Sequence, residues 1–435
     1  MNYLSRRYQA VYELIDHVQR ELAQSPEVSD AFKKCYPNTI ETTVRWLEDE
    51  TAFIVTGDIP AMWLRDSTCQ VRPYVTLAAR DAEVKSLIEG LIKRQAAYIL
   101  HDPYANAFNE KANGKGHHDQ TVRSALVWER KFELDSLCYP IQLCQDYYTV
   151  TGDKGLFDEK IHQMFWIILQ VLRREQKHDK DSPYTFKRTH CPPSDTLAFG
   201  KGTPTNFTGM VWSGFRPSDD ACQFGFLIPS NMFAVVCLTY LAQLANDVYC
   251  DFALANEASS LRQDIEFGIE TYGVVDHPDF GRIYAYETDG FGNYNLMDDA
   301  NVPSLLSIPY LGYRFVDDPI YQSTRQFVLS QKNPYFYSGK AASGIGSPHT
   351  PKEHIWPISL IMQGLTSTNE QEQWTLIEML VRTTASTGYM HESFHANDPS
   401  VFTRSWFAWA NSLFGQLIVR WLAIQGRLAE EVMSK

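Results

Sequence analysis

Carboxylates in the segments between apolar stretches are the side chains best suited to do chemistry in this sequence. Asp66 lies in GDIPAMWLRDS, and Asp219 and Asp220 lie in WSGFRPSDDA. A further acid, Glu392, lies in MHESF towards the end of the chain. Two carboxyl groups, one protonated and one ionised, are the pair that hydrolyses a glycosidic bond. The residue types therefore indicate acid and base chemistry on a sugar.

Groups that hold sugars are found close to these carboxylates. Trp63 and Arg65 shortly precede Asp66, and Trp212 begins the segment that contains Asp219. An aromatic ring provides a stacking surface, whereas Arg, Asp and Asn side chains bind hydroxyl groups in fixed directions. The combination indicates a carbohydrate site.

Each of these residues also has a purely structural interpretation. A lone Trp most often packs in a core. Asp219 and Asp220 could form a turn or cap a helix, and Asp298 and Asp299 could cap the helix predicted after them. Glu392 could be an exposed loop acid. Taken singly, the structural interpretation is favoured by roughly two to one, and only the coincidence across several segments favours a site.

Signals for a metal, a nucleotide cofactor or a serine nucleophile are weak or absent. The sequence lacks a GxGxxG motif in a strand–helix context, a GxxxxGK[ST] motif and a GxSxG motif. His117, His118 and Asp119 in GKGHHD could bind a metal, but adjacent His side chains point apart and no HExxH spacing supports them. We therefore predict no metal and no cofactor.

The composition excludes other classes of protein. The chain has 435 residues, of which 44% are hydrophobic and 21% charged, and its formal net charge is -13. These values are typical of a soluble globular protein with a sizeable core. Binding to nucleic acid or to an anionic membrane requires clustered Lys and Arg, so an acidic chain is expected to bind neither.

The cysteines and the amino-terminal segment predict a cytoplasmic protein. None of the eight Cys residues forms a Cys-x-x-Cys pair, and several lie in apolar stretches, so we expect buried free thiols. Residues 1–22 carry charges throughout and lack the apolar region of a signal peptide. The longest apolar run, residues 232–245, is too short to span a bilayer.

Helical periodicity runs through most of the chain and predicts the elements that position the candidate residues. Short links between successive segments predict antiparallel hairpins. No linker divides residues 1–435, so we expect one all-α domain, a single α/α six-barrel (toroid), with a two-part helical bundle as the alternative. The predicted helices lie at 8–22, 29–46, 66–80, 83–100, 134–152, 156–175, 231–248, 253–273, 303–314, 318–331, 353–366, 372–387 and 404–424.

Five longer motifs resemble those of glycoside hydrolase family 125, whose members are exo-acting α-1,6-mannosidases. The resemblance runs from about Ala31 to the last predicted helix and follows the order of the family's motifs. They are GDIPAMWLRDS (57–67), WSGFRPSDDA (212–221), LMDDANVPSLLSIPYLG (296–312), SPHTPKEHIWPISL (347–360) and MHESF (390–394).

The resemblance implies an α/α six-barrel and metal-independent hydrolysis with inversion, one terminal mannose at a time. It implies that the general acid is Asp219, with Asp220 as the alternative, and that the general base is Glu392. Asp219 would be kept protonated by partial burial and would donate to the glycosidic oxygen, while Glu392 activates a water. No protein partner is readable from the sequence.

The resemblance also implies which side chains contact the substrate, a mannose-containing oligosaccharide such as an N-glycan. WLRDS is similar to an Arg-Asp pair of glucoamylases, so Arg65 and Asp66 are expected to hold hydroxyl groups and Trp63 to shape the wall. The expected substrate-binding residues are Asp58, Trp63, Arg65, Asp66, Trp212, Asp298, Asp299 and His349.

Two other functions remain open on the residues alone. A sugar isomerase or epimerase on a similar toroid would use His side chains to move protons, and several His residues lie in the long segments. A carbohydrate-binding protein without catalysis would need only the aromatic and polar groups. The residues decide weakly among these functions, and the resemblance favours the hydrolase.

Overall fold

About half of the chain is helical in the computed structural model, which describes residues 3–428. The long segments with helical periodicity are confirmed as helices. The α-helices are α1 (Tyr3–Arg7), α2 (Gln9–Glu21), α3 (Pro26–Cys35), α4 (Asn38–Thr42), α5 (Leu64–Val71), α6 (Ala82–His101), α7 (Leu134–Thr151), α8 (Glu159–Glu175), α9 (His178–Asp181), α10 (Ile228–Leu244), α11 (Phe252–Tyr272), α12 (Ile308–Leu311), α13 (Pro319–Val328), α14 (Pro357–Leu365), α15 (Glu370–Arg382) and α16 (Ala408–Ile424).

Short β-strands, which the all-α prediction did not include, lie between the helices. They pair as antiparallel two- and three-stranded sheets because the intervening segments are rich in aromatic and β-branched residues. The strands are β1 (Val44–Trp46), β2 (Ala52–Ile54), β3 (Met62–Trp63), β4 (Ala107–Phe108), β5 (Val127–Glu129), β6 (Phe226–Leu227), β7 (Val274–His277), β8 (Gly281–Tyr284), β9 (Glu287–Thr288), β10 (Tyr294–Asn295), β11 (Phe336–Ser338), β12 (Ser343–Ile345), β13 (His354–Ile355), β14 (Ser393–His395) and β15 (Asp398–Thr403).

Six helices form the interior of the protein, and we call α5, α7, α10, α12, α14 and α16 the core helices. All eight residues of α5 are buried, and so are most residues of α7, α10, α14 and α16. Helix α7 packs against α5 and α10, α10 packs against α12, and α16 packs against α14 and α5. The last core helix therefore contacts the first.

Five helices with one exposed face lie around them, and we call α6, α8, α11, α13 and α15 the peripheral helices. Helix α11 packs against α10, α15 packs against α14, and α6 packs against α7 and α8. Each peripheral helix thus follows a core helix in the chain and covers part of the interior.

The two sets of helices begin with different residues. A peripheral helix begins at an Asp or Asn whose side chain accepts backbone N–H hydrogen bonds, whereas no side chain caps a core helix. The peripheral N-caps are Asp81, Asp158, Asp251, Asp318 and Asn369. The residues that precede the core helices are Trp63, Glu133, Leu227, Ser307, Trp356 and Phe407. The positive amino-terminal ends of the longer core helices are therefore available to nearby carboxylates.

The helical stretch Ile228–Tyr249 extends beyond the apolar run seen in the sequence, and by length and composition it could cross a membrane. However, 78% of its most hydrophobic window is buried inside the protein. Such burial is typical of a core helix, and α10 packs against three other helices here.

All eight cysteines are free thiols, as predicted. Six of them are buried, whereas Cys191 is partly exposed and Cys250 is exposed. Cys237 of α10, for example, donates a weak hydrogen bond to the carbonyl oxygen of Cys138 in α7. The buried thiols act as small apolar side chains in the contacts between core helices.

Candidate active site

Residues at the amino-terminal ends of core helices surround a small cavity of about 50 Å³. Part of its wall is aromatic and part is charged. The aromatic lining consists of Trp63, Trp356, Phe407 and Trp409. The charged lining consists of Arg65, Asp66, Asp219, His349, Glu392 and Arg404. The structure thus brings both predicted catalytic carboxylates to one cavity, although they are far apart in the sequence.

The aromatic wall also carries unused hydrogen-bond donors. Trp63 and Trp409 are both nearly fully buried, and their indole N–H groups meet no acceptor among the described residues. A buried donor without an acceptor costs free energy unless a ligand or water accepts its hydrogen bond. The two rings can therefore offer both a stacking surface and N–H groups to a sugar.

Arg65 is a buried cation at the first turn of α5, and four carboxylates face it. Its Nη1 lies 2.7 Å from Glu133 Oε2 and 3.1 Å from Asp135 Oδ2. Its Nε lies 3.4 Å from Asp66 Oδ2, and its Nη2 lies 3.7 Å from Asp219 Oδ1. The sequence analysis predicted that Arg65 binds hydroxyl groups of the substrate. The structure shows in addition that this guanidinium holds the carboxylates of α5, α7 and the Asp219 turn together.

Asp219 lies at the tip of a tight turn that directs its side chain into the cavity. Its φ of 68° is in the left-handed region, which a residue with a side chain adopts only at a cost. Backbone hydrogen bonds close the turn, from Asp219 N to Arg216 O at 2.9 Å and from Arg216 N to Asp220 O at 2.7 Å. Lys131 Nζ donates to the carbonyl oxygen of Asp219 at 2.7 Å. This turn separates two neighbouring acids, so that Asp219 and not Asp220 lines the cavity.

The charges around this turn place a proton on Glu133 and not on Asp219. Burial by itself would raise the pKa of Asp219, but the Lys131 ammonium and the Arg65 guanidinium lower it to about 2. Burial, together with the charges of Asp219 and Asp135, raises the pKa of Glu133 well above its usual range, although Arg65 opposes this. The prediction that burial keeps Asp219 protonated is therefore wrong, because the two cations outweigh burial.

Asp66 is the second carboxyl of this cluster that holds a proton readily. Burial, together with the charge of Asp219, raises its pKa to about 6 against the opposing charge of Arg65. Asp66 lines the cavity one residue after Arg65. Near neutral pH this side chain can therefore donate as well as accept hydrogen bonds.

Glu392 lines the same cavity and lies directly before β14, with its side chain 13% exposed. Arg404 Nη1 lies 3.4 Å from Glu392 Oε1, and the same guanidinium contacts the carboxylate of Asp58. Gly57 makes this contact possible, since a Cβ at that position would lie 2.9 Å from Arg404 Nη2. Arg404 thus links Glu392 to the loop before β3, where the predicted residue Asp58 lies largely exposed.

His349 joins the two acids of the turn to the cavity. Its Nδ1 lies 3.2 Å from Asp220 Oδ1, and Asp220 is buried. Burial would lower the pKa of His349, but the hydrogen bond and charge of Asp220, together with the charges of Asp219 and Glu392, raise it to about 9. His349 is therefore an imidazolium at neutral pH and adds positive charge beside Asp219.

Substituting Asn for Asp220 is expected to lower the pKa of His349 below about 9, because the substitution removes the nearest negative charge that favours the imidazolium. The sign follows from the cation, which loses its proton more readily without an anionic partner. Proton NMR titration of the imidazole resonances would measure the shift, with the His349→Gln protein identifying the signal. As a matched control, Asp251→Asn removes the acid 2.9 Å from His162 Nε2 and should leave His349 unchanged.

Besides Asp58, three predicted substrate-binding residues are absent from the lining of the cavity. Trp212 is 1% exposed and stacks on the ring of His178, with a centroid distance of 3.5 Å. Asp298 accepts backbone N–H hydrogen bonds from Leu305 and Leu306 at 2.8 and 3.0 Å, and burial raises its pKa to about 8. Trp212 thus packs in the core and Asp298 caps the turn before α12, as their structural interpretations state.

Asp299 is the third of these residues, and it supports the turn that carries Asp219. Its Oδ2 accepts a hydrogen bond from Ser218 Oγ at 2.8 Å, one residue before Asp219. Asn301, two residues after Asp299, lines the cavity instead. Asp299 is fully buried, so it contacts the site through Ser218 and not directly.

Several residues of the site were missed by the sequence analysis, most importantly Lys131, Glu133 and Arg404. Glu133 directly precedes α7, and Arg404 lies shortly before α16, so both are charged residues at the start of a predicted helix. Arg65 and Asp66 lie at the same position in α5. A rule that searched the amino-terminal ends of the apolar helices for charged residues would have found them.

Residues 391–395, HESFH, match the HExxH spacing of zinc proteases but lie on and before a strand. The motif binds zinc when a helix places both His residues on one face. Here His391 stacks on Phe402 with a ring centroid distance of 4.0 Å, and His395 lies at the end of β14. Within residues 3–428, no group of three or more His, Cys, Asp or Glu side chains could hold a metal ion.

Comparison with known proteins assigns this chain to an enzyme family. The sequence model of glycoside hydrolase family 125, described as metal-independent α-mannosidases, matches residues 25–419. The chain belongs to glycoside hydrolase family 125. It is therefore a glycoside hydrolase of the α-mannosidase type, and the resemblance seen in its motifs is confirmed.

Individual family 125 relatives match over nearly the whole chain. A structure of a metal-independent α-mannosidase from Streptococcus pneumoniae, in a non-productive complex with α-1,6-mannobiose, is 48% identical. It has a TM-score of 0.94, and the match covers 96% of this chain and 100% of that one. The meiotically up-regulated gene 157 protein of Schizosaccharomyces pombe is 41% identical, with 94% of this chain and 85% of the relative covered.

A bacterial glucoamylase in complex with acarbose shares the fold at much lower identity. The two chains are 12% identical and superpose with a TM-score of 0.56, over 86% of this chain and 50% of the glucoamylase. At this identity the likeness shows a common fold. Family 125 thus shares its helical architecture with other glycosidases.

Proposed function

We propose that this family 125 enzyme removes the non-reducing terminal mannose from α-1,6-linked mannosides, with inversion of the anomeric configuration. The observation that carries the proposal is the presence of Asp219 and Glu392 in one small cavity with aromatic walls. The Streptococcus pneumoniae structure with α-1,6-mannobiose supports the linkage.

In this mechanism Asp219 is the general acid and Glu392 the general base. Asp219 protonates the glycosidic oxygen, and Glu392 takes a proton from the water that attacks the opposite face of the sugar. Arg404 contacts Glu392 and orients it. His349, Arg65 and Lys131 stabilise the negative charge of Asp219 after it has given up the proton.

The size of the cavity supports action at the end of a glycan. A small cavity lined by aromatic rings and the Arg404 guanidinium suits the last residue of a chain and not a through-running polysaccharide. Asp66, Asn301 and the free indole N–H of Trp63 supply donors and acceptors for its hydroxyl groups.

We further infer that the core helices close into one α/α six-barrel domain. The contacts from α5 through α7 to α10 and α12, and from α14 through α16 back to α5, support this closure. A single cluster of buried apolar residues runs from Tyr8 to Leu428, which supports one domain. The free thiols support a cytoplasmic location, where the substrates would be oligosaccharides such as fragments of N-glycans.

Time-resolved proton NMR with α-1,6-mannobiose in excess EDTA tests the proposal. The expected result is that β-mannose appears first and equilibrates with the α-anomer later. An initial release of α-mannose would mean retention and would overturn the role of Glu392 as a base. Turnover of α-1,2- or α-1,3-mannobiose in preference to the α-1,6 isomer would overturn the linkage, and conversion without cleavage would indicate an isomerase.

A further inference from the structure

Glu133 is a fully buried carboxyl group in contact with the Arg65 guanidinium. It precedes α7 without capping it. Its Oε2 accepts hydrogen bonds from Arg65 Nη1 at 2.7 Å and from Ser136 Oγ at 2.9 Å. Its Oε1 is buried, and no N–H or hydroxyl group of the described residues donates to it. Oε2 therefore accepts two hydrogen bonds, whereas Oε1 receives none from an N–H or hydroxyl group of the described residues.

Asp219 also has a buried carboxyl oxygen that lacks a hydrogen-bond donor. Its Oδ1 is buried and receives no hydrogen bond from an N–H or hydroxyl group within residues 3–428. Both side chains contact the Arg65 guanidinium, with Glu133 Oε2 2.7 Å from Nη1 and Asp219 Oδ1 3.7 Å from Nη2, and the two carboxyl groups are placed to share a hydrogen bond. Two carboxyl groups can form a hydrogen bond only when one of them carries a proton, because ionised carboxylates are acceptors alone. A single proton between them satisfies both buried oxygen atoms.

The charged groups around the pair differ on its two sides. Lys131 and His349 act on Asp219, so they favour the ionised form there. Asp135 acts on Glu133 and disfavours a second negative charge, while Arg65 faces both acids and Asp66 faces Arg65. The arrangement keeps the shared proton on Glu133 and the negative charge on Asp219.

We propose that Glu133 stores the proton that Asp219 delivers to the glycosidic oxygen, so that Glu133 is a positioning residue that acts through Asp219. This inference depends on the proposed function. Glu133 transfers its proton to Asp219 as Asp219 protonates the leaving oxygen and the glycosidic bond breaks. Glu392 accepts the proton of the attacking water. Glu133 is then ionised beside Arg65 and Ser136, and loss of the proton from Glu392 to solvent and uptake of one by Glu133 restore the enzyme.

A Glu133→Gln variant tests the proposal on two substrates. Glutamine keeps the size of the side chain, and its amide donates a hydrogen bond to Asp219 but provides no transferable proton. With α-1,6-mannobiose, kcat is expected to fall by about 100-fold or more while KM changes little. With α-mannosyl fluoride, whose leaving group departs without protonation, kcat is expected to stay close to that of the wild-type enzyme.

The pH profile provides a second readout that a purely structural role would not change. The alkaline limb of kcat/KM on mannobiose is expected to report loss of the proton shared by Glu133 and Asp219. That limb should move in the Glu133→Gln enzyme. It should stay in place in Glu353→Gln, a control that makes the same chemical change at an exposed carboxylate outside the cavity.

The outcomes are distinguishable from failure of the proposed function. Equal losses on both substrates, or full activity on mannobiose, would overturn the role of Glu133. Wild-type protein that cleaves neither substrate would overturn the proposed function itself. If circular dichroism shows that Glu133→Gln does not fold, Glu133→Asp replaces it, since its shorter side chain withdraws the carboxyl from Asp219 but leaves a carboxyl in that pocket. The same split between substrates is expected, and its absence counts against the proposal.

Discussion

Replacing Glu392 with glutamine is expected to lower kcat on α-1,6-mannobiose by about 100- to 10,000-fold, the usual contribution of a general base. The amide cannot accept a proton from the attacking water, and the other carboxyl groups among the described lining residues, Asp66 and Asp219, have other roles in the mechanism. KM should change little, because Arg404 and the aromatic walls remain. Initial-rate kinetics on the purified variant measure the effect.

The matched control for this substitution is Glu353→Gln. Glu353 directly precedes β13 and Glu392 directly precedes β14, and these two strands are paired. The side chain of Glu353 is 54% exposed and lies outside the cavity. The control makes the same chemical change in the same small sheet and should leave kcat close to the wild-type value. Near-normal activity of Glu392→Gln, or an equal loss in both variants, would contradict the assignment of Glu392 as the base.

Replacing Arg65 with methionine is expected to lower the free energy of unfolding at neutral pH by about 3–5 kcal/mol, the cost of removing one partner from a buried ion pair. The guanidinium is 3% exposed, and the side chains of Glu133 and Asp135 that it contacts are fully buried. Without the cation these carboxyls face each other and Asp219 uncompensated. Urea unfolding followed by circular dichroism measures the loss.

The loss should depend on pH in a defined direction. In the variant the pKa values of Glu133, Asp135 and Asp66 are raised further above those of the unfolded chain, so the folded state takes up more protons as the pH falls. The variant should therefore regain stability from pH 8 to pH 5. Arg45→Met removes an exposed pair, with Arg45 Nη1 2.8 Å from Glu110 Oε2, and should cost about 0–1 kcal/mol. If Arg65→Met loses no more stability than Arg45→Met, the stability of the cluster does not depend on the Arg65 cation.

The helical framework was largely predictable because its signals are local. Apolar spacing identified α6, α7, α8 and α11, and acids such as Asp158 and Asp251 mark the starts of the peripheral helices. The short strands were missed because pairs such as Met62 with Phe108 join segments far apart in the chain. Two-residue strands carry too few side chains to show an alternating pattern.

The candidate site was predictable in its residue types but only partly in its membership. Asp219 and Asp220 have the same chemistry and adjacent positions, and the left-handed turn at Asp219 separates them. Asp298 and Trp212 lie in motifs as distinctive as those of Asp66 and Glu392, yet they cap a turn and pack in the core. Packing against distant segments decides whether such a residue lines the cavity or lies in the core, and no local sequence pattern indicates it.

The sequence by itself determined the helices, the acids available for catalysis and the family. Only the tertiary structure decided which acids meet in the cavity and which of them holds a proton. Lys131, Arg65 and His349 come from three other segments and lower the pKa of Asp219 against the effect of its burial, whereas burial and the charges of Asp219 and Asp135 raise the pKa of Glu133. A pKa depends on charges within a few ångströms and on burial, and folding alone creates both.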